Sequence, residues 1–285
     1  METRFNKEIK SNKRRFRLLR AGWQERLPIK PLLYGFVVVL LLAIALSFYQ
    51  PQNTYLGSAE VAAIRAVGAL RVGVDENLPG LHRDGIGLEA DLARGLSTAL
   101  FDDAETVRLV PVTRQTVRWL LADGRIDMAF LSVSELPGSA YIASERAFFS
   151  EPCVLLCYDA VMPLAEKRIG VLQNTESEVL LEAFESDVEP EILVAPYAAY
   201  YDMMVALRAG TLDALCLPRS QALRLGGADL KLHHTTVGQL NYYAVARAEN
   251  KALLKLVDEL LSLWARDGTL LEYYETHELS LPEKH

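Results

Sequence analysis

Ala209-Gly210-Thr211-Leu212-Asp213-Ala214-Leu215-Cys216-Leu217-Pro218-Arg219-Ser220 is the stretch of this 285-residue chain that decides its fold. Apolar residues at helical spacing precede it over 200–207, and Gly210 is well placed to stop that helix. The near-continuous apolar run 212–217 is typical of a strand that is covered on both faces. Pro218 cannot donate to a strand ladder, so we predict that the strand ends there and that a loop follows.

The same pattern occurs earlier in the chain. Residues 121–131 read Leu-Ala-Asp-Gly-Arg-Ile-Asp-Met-Ala-Phe-Leu, and residues 207–217 repeat the two leucines, the glycine and the second aspartate at the same spacing. Two copies predict two similar α/β lobes. Since Asp127 and Asp213 recur just before the strand, we assign both of them to the turn rather than to binding.

Charge is distributed unevenly along the chain. Residues 1–30 contain ten Lys or Arg and three acids, a net charge of +7, so the rest must carry about −14 to give the formal −7. A basic arm on an acidic body argues against nucleic-acid binding. Three cysteines in a chain of this length do not form a disulfide framework.

Residues 31–49 carry no charged side chain. As a helix they would span roughly 28 Å, about the thickness of a bilayer's hydrocarbon core. The basic residues on the N-terminal side predict a single-pass membrane protein with a cytoplasmic arm (1–30) and an extracytoplasmic C-terminal domain, joined by a polar tether (50–58). A cleaved signal peptide is the alternative, because Ala43-Ile44-Ala45 resembles a cleavage site; the long basic region favours an uncleaved signal anchor.

Strand and helix patterns alternate through the rest of the chain. This order predicts parallel sheets with right-handed crossovers. We predict strands at 70–74, 107–112, 126–133, 154–158, 168–172, 191–195, 212–217 and 241–247, and helices at 59–68, 88–100, 114–121, 176–184, 200–207, 253–265 and 270–276.

Several short motifs then appear in a recognisable order. They are Leu70-Arg71-Val72-Gly73-Val74-Asp75, Gly87-Leu88-Glu89-Ala90-Asp91-Leu92-Ala93, Gly124-Arg125-Ile126-Asp127, Phe149-Ser150-Glu151-Pro152 and Arg266-Asp267-Gly268-Thr269-Leu270. Together the motifs, over about residues 66–274, resemble the bacterial extracellular solute-binding proteins of family 3, the receptors of amino-acid ABC uptake systems. The resemblance implies a two-lobed, periplasmic-binding-protein-like (Venus flytrap) α/β fold after one N-terminal transmembrane helix. Lobe 1 would comprise 59–153 plus 241–280, and lobe 2 would comprise 154–240.

The family's amino-acid site is altered in this chain. The resemblance implies an Arg for the ligand carboxylate after the third strand of lobe 1, where Ser139 stands instead; Arg146 lies further on and is better read as a surface residue. It also implies an Asp for the ligand ammonium after the third strand of lobe 2, where Pro218 stands beside Arg219. We therefore expect divergence from amino-acid binding and, because of Arg219, an anionic ligand.

Other polar residues sit where ligands bind in open α/β sheets, beyond the carboxyl ends of the strands. Asn174 and Thr175 precede a helix whose N–H groups favour an anion, although Thr175 equally fits a simple N-cap. The adjacent His233 and His234 would point to opposite faces of a strand, which disfavours a metal site. The predicted ligand-binding residues are Asp75, Asn77, Ser132, Ser134, Asn174, Thr175 and Arg219, with no cofactor or metal.

These observations predict a membrane-anchored solute-binding protein that takes a small polar or anionic solute for an ABC permease or for sensing. One alternative is an interaction or signalling domain that kept the fold and lost the ligand. A second is a dehydratase-like enzyme, since some relatives with this fold are dehydratases; Glu135 or Glu176 would then be its general acid or base. We expect a binding protein rather than an enzyme.

Overall fold

A computed structural model describes residue 39 and residues 56–75, 78, 80–133, 140–186 and 191–279 of the chain. Contacts divide the chain into two compact units, Met1–Gln52 and Asn53–His285, and the fold described here is that of the second unit. The predicted arm, most of the apolar segment 31–49 and most of the tether lie outside the described residues. No helix among the described residues is long and apolar enough to cross a membrane.

Helices and strands alternate as the sequence predicts. The strands are β1 (Leu70–Val74), β2 (Val107–Pro111), β3 (Met128–Ser132), β4 (Tyr141–Ala143), β5 (Phe149–Cys157), β6 (Arg168–Leu172), β7 (Leu193–Tyr197), β8 (Ala214–Pro218) and β9 (Lys231–Arg247). The helices are α1 (Ala59–Val67), α2 (Leu88–Phe101), α3 (Thr116–Ala122), α4 (Glu176–Glu185), α5 (Tyr200–Arg208), α6 (Arg219–Leu225), α7 (Lys251–Asp267) and α8 (Thr269–Thr276), with a 3-10 turn at Ala248–Asn250.

The sheet consists of two halves with the same strand arrangement. Its order is β2-β1-β3-β9-β5-β8-β6-β7, with β4 paired to β9. In one half β1 is parallel to β2 and β3, and β9 runs antiparallel to β3. In the other half β6 is parallel to β7 and β8, and β5 runs antiparallel to β8. This is the two-lobed α/β architecture of periplasmic binding proteins, with one half of the sheet in each lobe.

The repeated turns have the same structure in both lobes. Gly124 and Gly210 adopt φ of 64° and 71°, the left-handed region that glycine enters without steric cost. Asp127 accepts the Arg71 backbone N–H at 2.9 Å, and Asp213 accepts the Arg168 backbone N–H at 2.9 Å. Both aspartates therefore fasten the turn to the first strand of their own lobe, the structural role that their spacing predicted.

The strand after the second turn is covered on both faces, as its apolar run indicated. Leu215 and Leu217 of β8 pack in a cluster with Met203 and Leu207 of α5. Ala214 and Cys216 point to the other face and belong to the cluster that contains Ile169, Leu181 and Leu240. This burial on both faces fixes β8 at the centre of its lobe and holds its carboxyl end at the edge of the space between the lobes.

Two long strands connect the lobes. β5 and β9 pair antiparallel to each other from Phe149↔Tyr242 to Cys157↔Lys231, with irregular register around Val154. β9 also pairs with β3, and β5 also pairs with β8, so each strand belongs to both halves of the sheet. The prediction that a strand at 154–158 crosses between lobes is right, but the strand begins at Phe149.

Three local predictions are wrong. The residues after Pro218 form helix α6 rather than a loop, because the Glu151 carboxylate on β5 accepts the Ser220 N–H at 2.7 Å and satisfies the start of the helix. The returning strand begins at Lys231 rather than at 241, since pairing with β5 extends it. The strand predicted at 191–195 is β7, which lies at Leu193–Tyr197, two residues later than expected.

Candidate functional site

The carboxyl ends of all six parallel strands meet in one cleft between the lobes. Lobe 1 contributes Asp75 after β1, Arg114 after β2 and Ser132 at the end of β3. Lobe 2 contributes Asn174 after β6 and Tyr200 after β7, and Pro218 at the end of β8 completes the lining. The cleft is thus where the general rule for open α/β sheets places a ligand site.

The cleft contains two adjoining cavities. The inner cavity has a volume of about 50 Å³ and is lined by residues that include Glu89, Ser132, Glu176 and Tyr242. The outer cavity has a volume of about 290 Å³ and is lined by residues that include Thr113, Gln115, Gln173 and Ala198. Since a water molecule needs roughly 10–15 Å³ of such space, the inner cavity has room for a few waters, and the outer one for a small solute.

Four of the predicted binding residues line the cleft. Asp75, Asn174 and Thr175 line both cavities, and Ser132 lines the inner one. The Ser132 Oγ is buried and has no hydrogen-bond partner in the described part of the chain. Asn77 and Ser134 lie outside the described residues, so their placement in the site stays a prediction.

Thr175 is the residue at the N-cap of α4, but its hydroxyl does not cap the helix. It donates to the Leu172 carbonyl at 2.7 Å. The turn before the helix is held instead by Glu178, whose carboxylate accepts the Asn174 N–H at 2.6 Å. Asn174 adopts a φ of 61°, a conformation that asparagine tolerates better than most residues.

Neither arginine that the sequence singled out lines the described cavities. Arg219 begins α6, where its charge partly offsets the rise in the pKa of the Glu151 carboxyl that burial causes. Arg146 is exposed and its backbone N–H donates to Asp258 at 3.1 Å, which confirms the surface reading. The two described cavities therefore do not support the role in anion binding that the sequence predicts for Arg219, and that role stays a prediction.

Glu89 is a cleft residue that is not among the predicted ligand-binding residues. It lies in the first turn of α2, is completely buried, and accepts the Asp75 N–H on Oε2 at 3.2 Å. Its other oxygen, Oε1, is buried without a hydrogen-bond partner among the described residues. Burial raises the pKa of the Glu89 carboxyl well above its ordinary value, and the nearby Asp75 charge raises it further.

Two contacts join the lobes directly across the cleft. Arg114 Nη1 lies 3.2 Å from Glu176 Oε2, and the Glu176 side chain is only 5% exposed. Gln115 Nε2 donates to Asn174 Oδ1 at 2.5 Å at the mouth of the cleft. Polar groups of the protein itself therefore bridge the space in which a ligand would contact both lobes.

A buried carboxylate, Glu151, supports the floor of the cleft. It accepts the Ser220 N–H and hydroxyl at 2.7 and 3.0 Å and the Tyr242 hydroxyl at 3.1 Å. Burial raises the pKa of Glu151, and these hydrogen bonds oppose that rise. Because Glu151 lies on β5, Tyr242 on β9 and Ser220 on α6, the network ties both connecting strands to lobe 2.

The sequence did carry a signal for the missed residues. Arg114 and Gln115 follow β2, so the rule that selected Asp75 and Asn174 also applies to them. Glu89 stands between Leu88 and Ala90 at the start of an amphipathic helix, and an acid in such an apolar setting indicates a buried carboxylate. Glu176 was considered only as an enzyme's acid or base; it is instead the partner of Arg114.

Histidine and cysteine side chains lie away from the cavities. The prediction that His233 and His234 face opposite sides of the strand is wrong, since their ring centroids are 4.2 Å apart where the β5–β9 register is irregular. Each ring lies within hydrogen-bond distance of a backbone carbonyl, and no metal-binding group of three or more side chains occurs among the described residues. Cys153 and Cys157 are buried free thiols, as expected, and Cys153 Sγ lies 3.3 Å from Cys216 Sγ.

Comparison with known proteins agrees with this architecture. No protein-family model matches the sequence. The protein YhdW of Escherichia coli K12, whose name assigns it to amino-acid ABC transporter-binding proteins, is 24% identical over 209 residues, 66% of this chain and 60% of YhdW. The glutamine-binding protein of Geobacillus stearothermophilus is 27% identical over 172 residues, 57% of this chain and 66% of that protein. The chain is related to the binding proteins of amino-acid ABC transporters. It spans less than two thirds of the length of these relatives.

Solved structures show the same fold. An amino-acid ABC transporter substrate-binding protein from Streptococcus pneumoniae, bound to L-arginine, superposes with a TM-score of 0.64 at 18% identity, over 76% of this chain and 97% of that one. An ancestral arginine-binding protein bound to arginine gives a TM-score of 0.62 at 22% identity, over 73% and 97% of the two chains. The described domain therefore has the fold of these receptors.

Proposed function

We propose that this chain is an extracytoplasmic solute-binding protein that encloses a small polar ligand between its two lobes, for ABC-type uptake or for sensing. The observation that carries the proposal is the convergence of six strand ends on one cleft, where two buried oxygens, Glu89 Oε1 and Ser132 Oγ, have no described protein partner. Buried polar atoms are nearly always hydrogen-bonded in folded proteins, so such atoms in a cleft favour a ligand. The relatives named above are binding proteins, which agrees with the expectation that the chain is not an enzyme.

The connecting strands supply the hinge that such a function needs. β5 and β9 pair with each other, and their register is irregular near Val154. The residues before this point belong to one half of the sheet and the residues after it belong to the other. A ligand that contacts both lobes binds the closed form more tightly than the open form, and this difference in binding free energy is the amount by which it favours closure. The difference in affinity can come from contacts of the ligand with both lobes, to Glu89 and Ser132 on lobe 1 and to Glu176 on lobe 2.

The test is a thermal-shift and calorimetric screen of the full-length protein against amino acids, amines, carboxylates and short peptides. At 100 times Kd a ligand adds about 2.7 kcal/mol of stability, which raises Tm by roughly 5–10 °C for a domain of this size. Gln115→Trp fills the mouth of the cleft and is expected to abolish the shift. Arg118→Trp, at an exposed position on the same helix that lines neither cavity, is the matched control. A shift that survives Gln115→Trp would place the ligand elsewhere.

The membrane anchor is part of the proposal. Its support is the uncharged segment 31–49 after a strongly basic arm. Fractionation of expressing cells is expected to place the protein in the membrane, with residues after 58 digested by protease added to spheroplasts. Recovery of the full chain in the soluble fraction, or protection of the domain from the protease, would contradict the anchor.

A domain that has lost its ligand is the second candidate, and one observation favours it. The inner cavity is small, and Arg114, Glu176, Gln115 and Asn174 already bridge the lobes. On this hypothesis no compound in the screen shifts Tm, and small-angle scattering gives a closed domain whose radius of gyration no compound changes.

A further inference from the structure

The charged side chains around the cleft are mostly acidic. Among the described residues that line the two cavities, Asp75, Glu89 and Glu176 are acids and Arg114 is a base, a formal balance of three negative charges to one positive. The basic Arg219, which the sequence placed near the site, is not part of the lining. A cleft of this composition attracts cations and repels anions.

Glu89 gives this acidity a defined position. Its side chain is fully buried and belongs to the lining of the inner cavity; one oxygen is held by the Asp75 N–H, and the other, Oε1, has no hydrogen-bond partner among the described residues. Since no described residue donates to this oxygen, a hydrogen-bond donor that enters the cavity can supply its missing bond. A protonated amine or a guanidinium offers both the donor and a positive charge, which favours the ionised form of Glu89 over the protonated form that prevails in the empty cleft.

The protein itself already places a cation in the cleft. The Arg114 guanidinium, from lobe 1, lies 3.2 Å from the nearly buried Glu176 carboxylate of lobe 2. A planar guanidinium therefore fits between the lobes. An anion that drew Arg114 away from Glu176 would remove this positive charge from a nearly buried carboxylate, which is unfavourable.

We propose that the cleft selects a small organic cation, a protonated amine or a guanidinium held by Glu89 and Glu176, and that Arg114 occupies the Glu176 end of this site as an internal competitor when the cleft is empty. The inference rests on the proposed function and names the ligand class of the same cleft. It requires no ligand carboxylate.

One substitution separates this inference from its opposite. If the ligand is a cation, Arg114→Gln removes the competitor and takes its charge from the nearly buried Glu176 carboxylate, so cations should bind about tenfold more tightly or better. If the ligand is an anion held by Arg114, the same substitution should weaken binding about tenfold or more. Arg114 is partly exposed, so the variant is expected to fold, and Arg118→Gln on the adjoining helix is the matched control for lost charge.

The probes are agmatine, L-arginine, L-glutamine and succinate, measured by calorimetry on the full-length protein. Agmatine and L-arginine share a guanidinium, but only L-arginine has a carboxylate. The inference predicts that agmatine binds at least as tightly as L-arginine, and that succinate does not bind. Glu89→Gln, a nearly isosteric change, should weaken agmatine binding by about tenfold or more, whereas Glu182→Gln on the exposed face of α4 should not.

The outcomes distinguish the two levels of proposal. Binding of succinate or L-glutamine but not of agmatine would leave the solute-binding function standing and overturn the cation inference. Tight binding of L-arginine without agmatine would overturn it as well, since the carboxylate would then be essential. Unchanged agmatine affinity in Glu89→Gln would remove Glu89 from the site, and absence of binding by the wider screen would overturn both proposals.

Discussion

The twin aspartates allow the duplication to be tested by comparing two identical substitutions. Asp127 and Asp213 occupy the same place in the two lobes, and each accepts a backbone N–H from the first strand of its lobe. Asp127 also binds the Arg71 guanidinium through both carboxylate oxygens. The side-chain partner described for Asp213 is the Lys167 ammonium, at 3.3 Å. We expect Asp127→Asn to be far more destabilising than Asp213→Asn.

The difference in magnitude follows from burial. The Asp127 side chain is 5% exposed and its Arg71 partner is 26% exposed. Removing one member of a fully buried pair costs about 3–5 kcal/mol, and the partial exposure of Arg71 reduces this to about 2–4 kcal/mol. The Asp213 and Lys167 side chains are 39% and 33% exposed. Their pair is worth at most about 1 kcal/mol, and an asparagine can still accept the Arg168 N–H.

Thermal unfolding of the two variants measures this difference. For a domain of this size each kcal/mol shifts Tm by about 2–4 °C, so Asp127→Asn should lower Tm by about 5–15 °C and Asp213→Asn by about 2–4 °C. Urea titrations check that the slope with denaturant is unchanged and that the effect is one of stability. Equal losses in the two variants would refute the reasoning, because burial and the Arg71 fork would then contribute nothing.

Three further predictions concern the rest of the domain. Burial raises the pKa of Glu89 above its ordinary 4.5, so the native ligand-free state holds a proton that the unfolded state releases as pH rises. The stability of the protein should therefore fall as pH rises above 4.5. Glu89→Gln should flatten this fall when Tm is measured against pH. Gly73→Ala should cost about 1–3 kcal/mol in a urea titration, because a new Cβ would lie 2.9 Å from the Ala129 Cβ in the sheet. A thiol reagent should label fewer than one cysteine in the native protein and three after unfolding; rapid labelling of the native protein would contradict the burial of Cys153, Cys157 and Cys216.

Local sequence signals were sufficient wherever local chemistry determines the backbone. The turn glycines need a positive φ and the turn aspartates need a nearby N–H, so both copies of the turn could be read directly from the chain. Strands β1 and β6 were predicted with the observed bounds, because Gly68 and Lys167 mark their starts and the polar Asp75 and Gln173 follow their last residues.

Distant contacts account for what the sequence did not reveal. Helix α6 is too short to show an apolar period, and its start is satisfied by Glu151, nearly seventy residues earlier in the chain. β9 was predicted only over 241–247, because its first half is mostly polar, without regular alternation, and owes its strand structure to pairing with β5. The close pair of Cys153 and Cys216 depends on the same antiparallel pairing, which no local pattern predicts.

The duplicated fold does not give the two lobes equal roles in the cleft. By the internal repeat Ser132 corresponds to Pro218, and Asp75 corresponds to Leu172, so lobe 1 has polar groups at positions where lobe 2 has apolar ones. The partnerless Glu89 oxygen also belongs to lobe 1. Lobe 2 supplies chiefly Glu176, whose present partner, Arg114, is again a lobe 1 residue.

A solute can therefore satisfy most of its hydrogen bonds on lobe 1 while the cleft is open, and it gains the Glu176 contact only on closure. Affinity for the open form should depend on Glu89, and the additional stabilisation of the closed form should depend on whether the solute or Arg114 occupies Glu176.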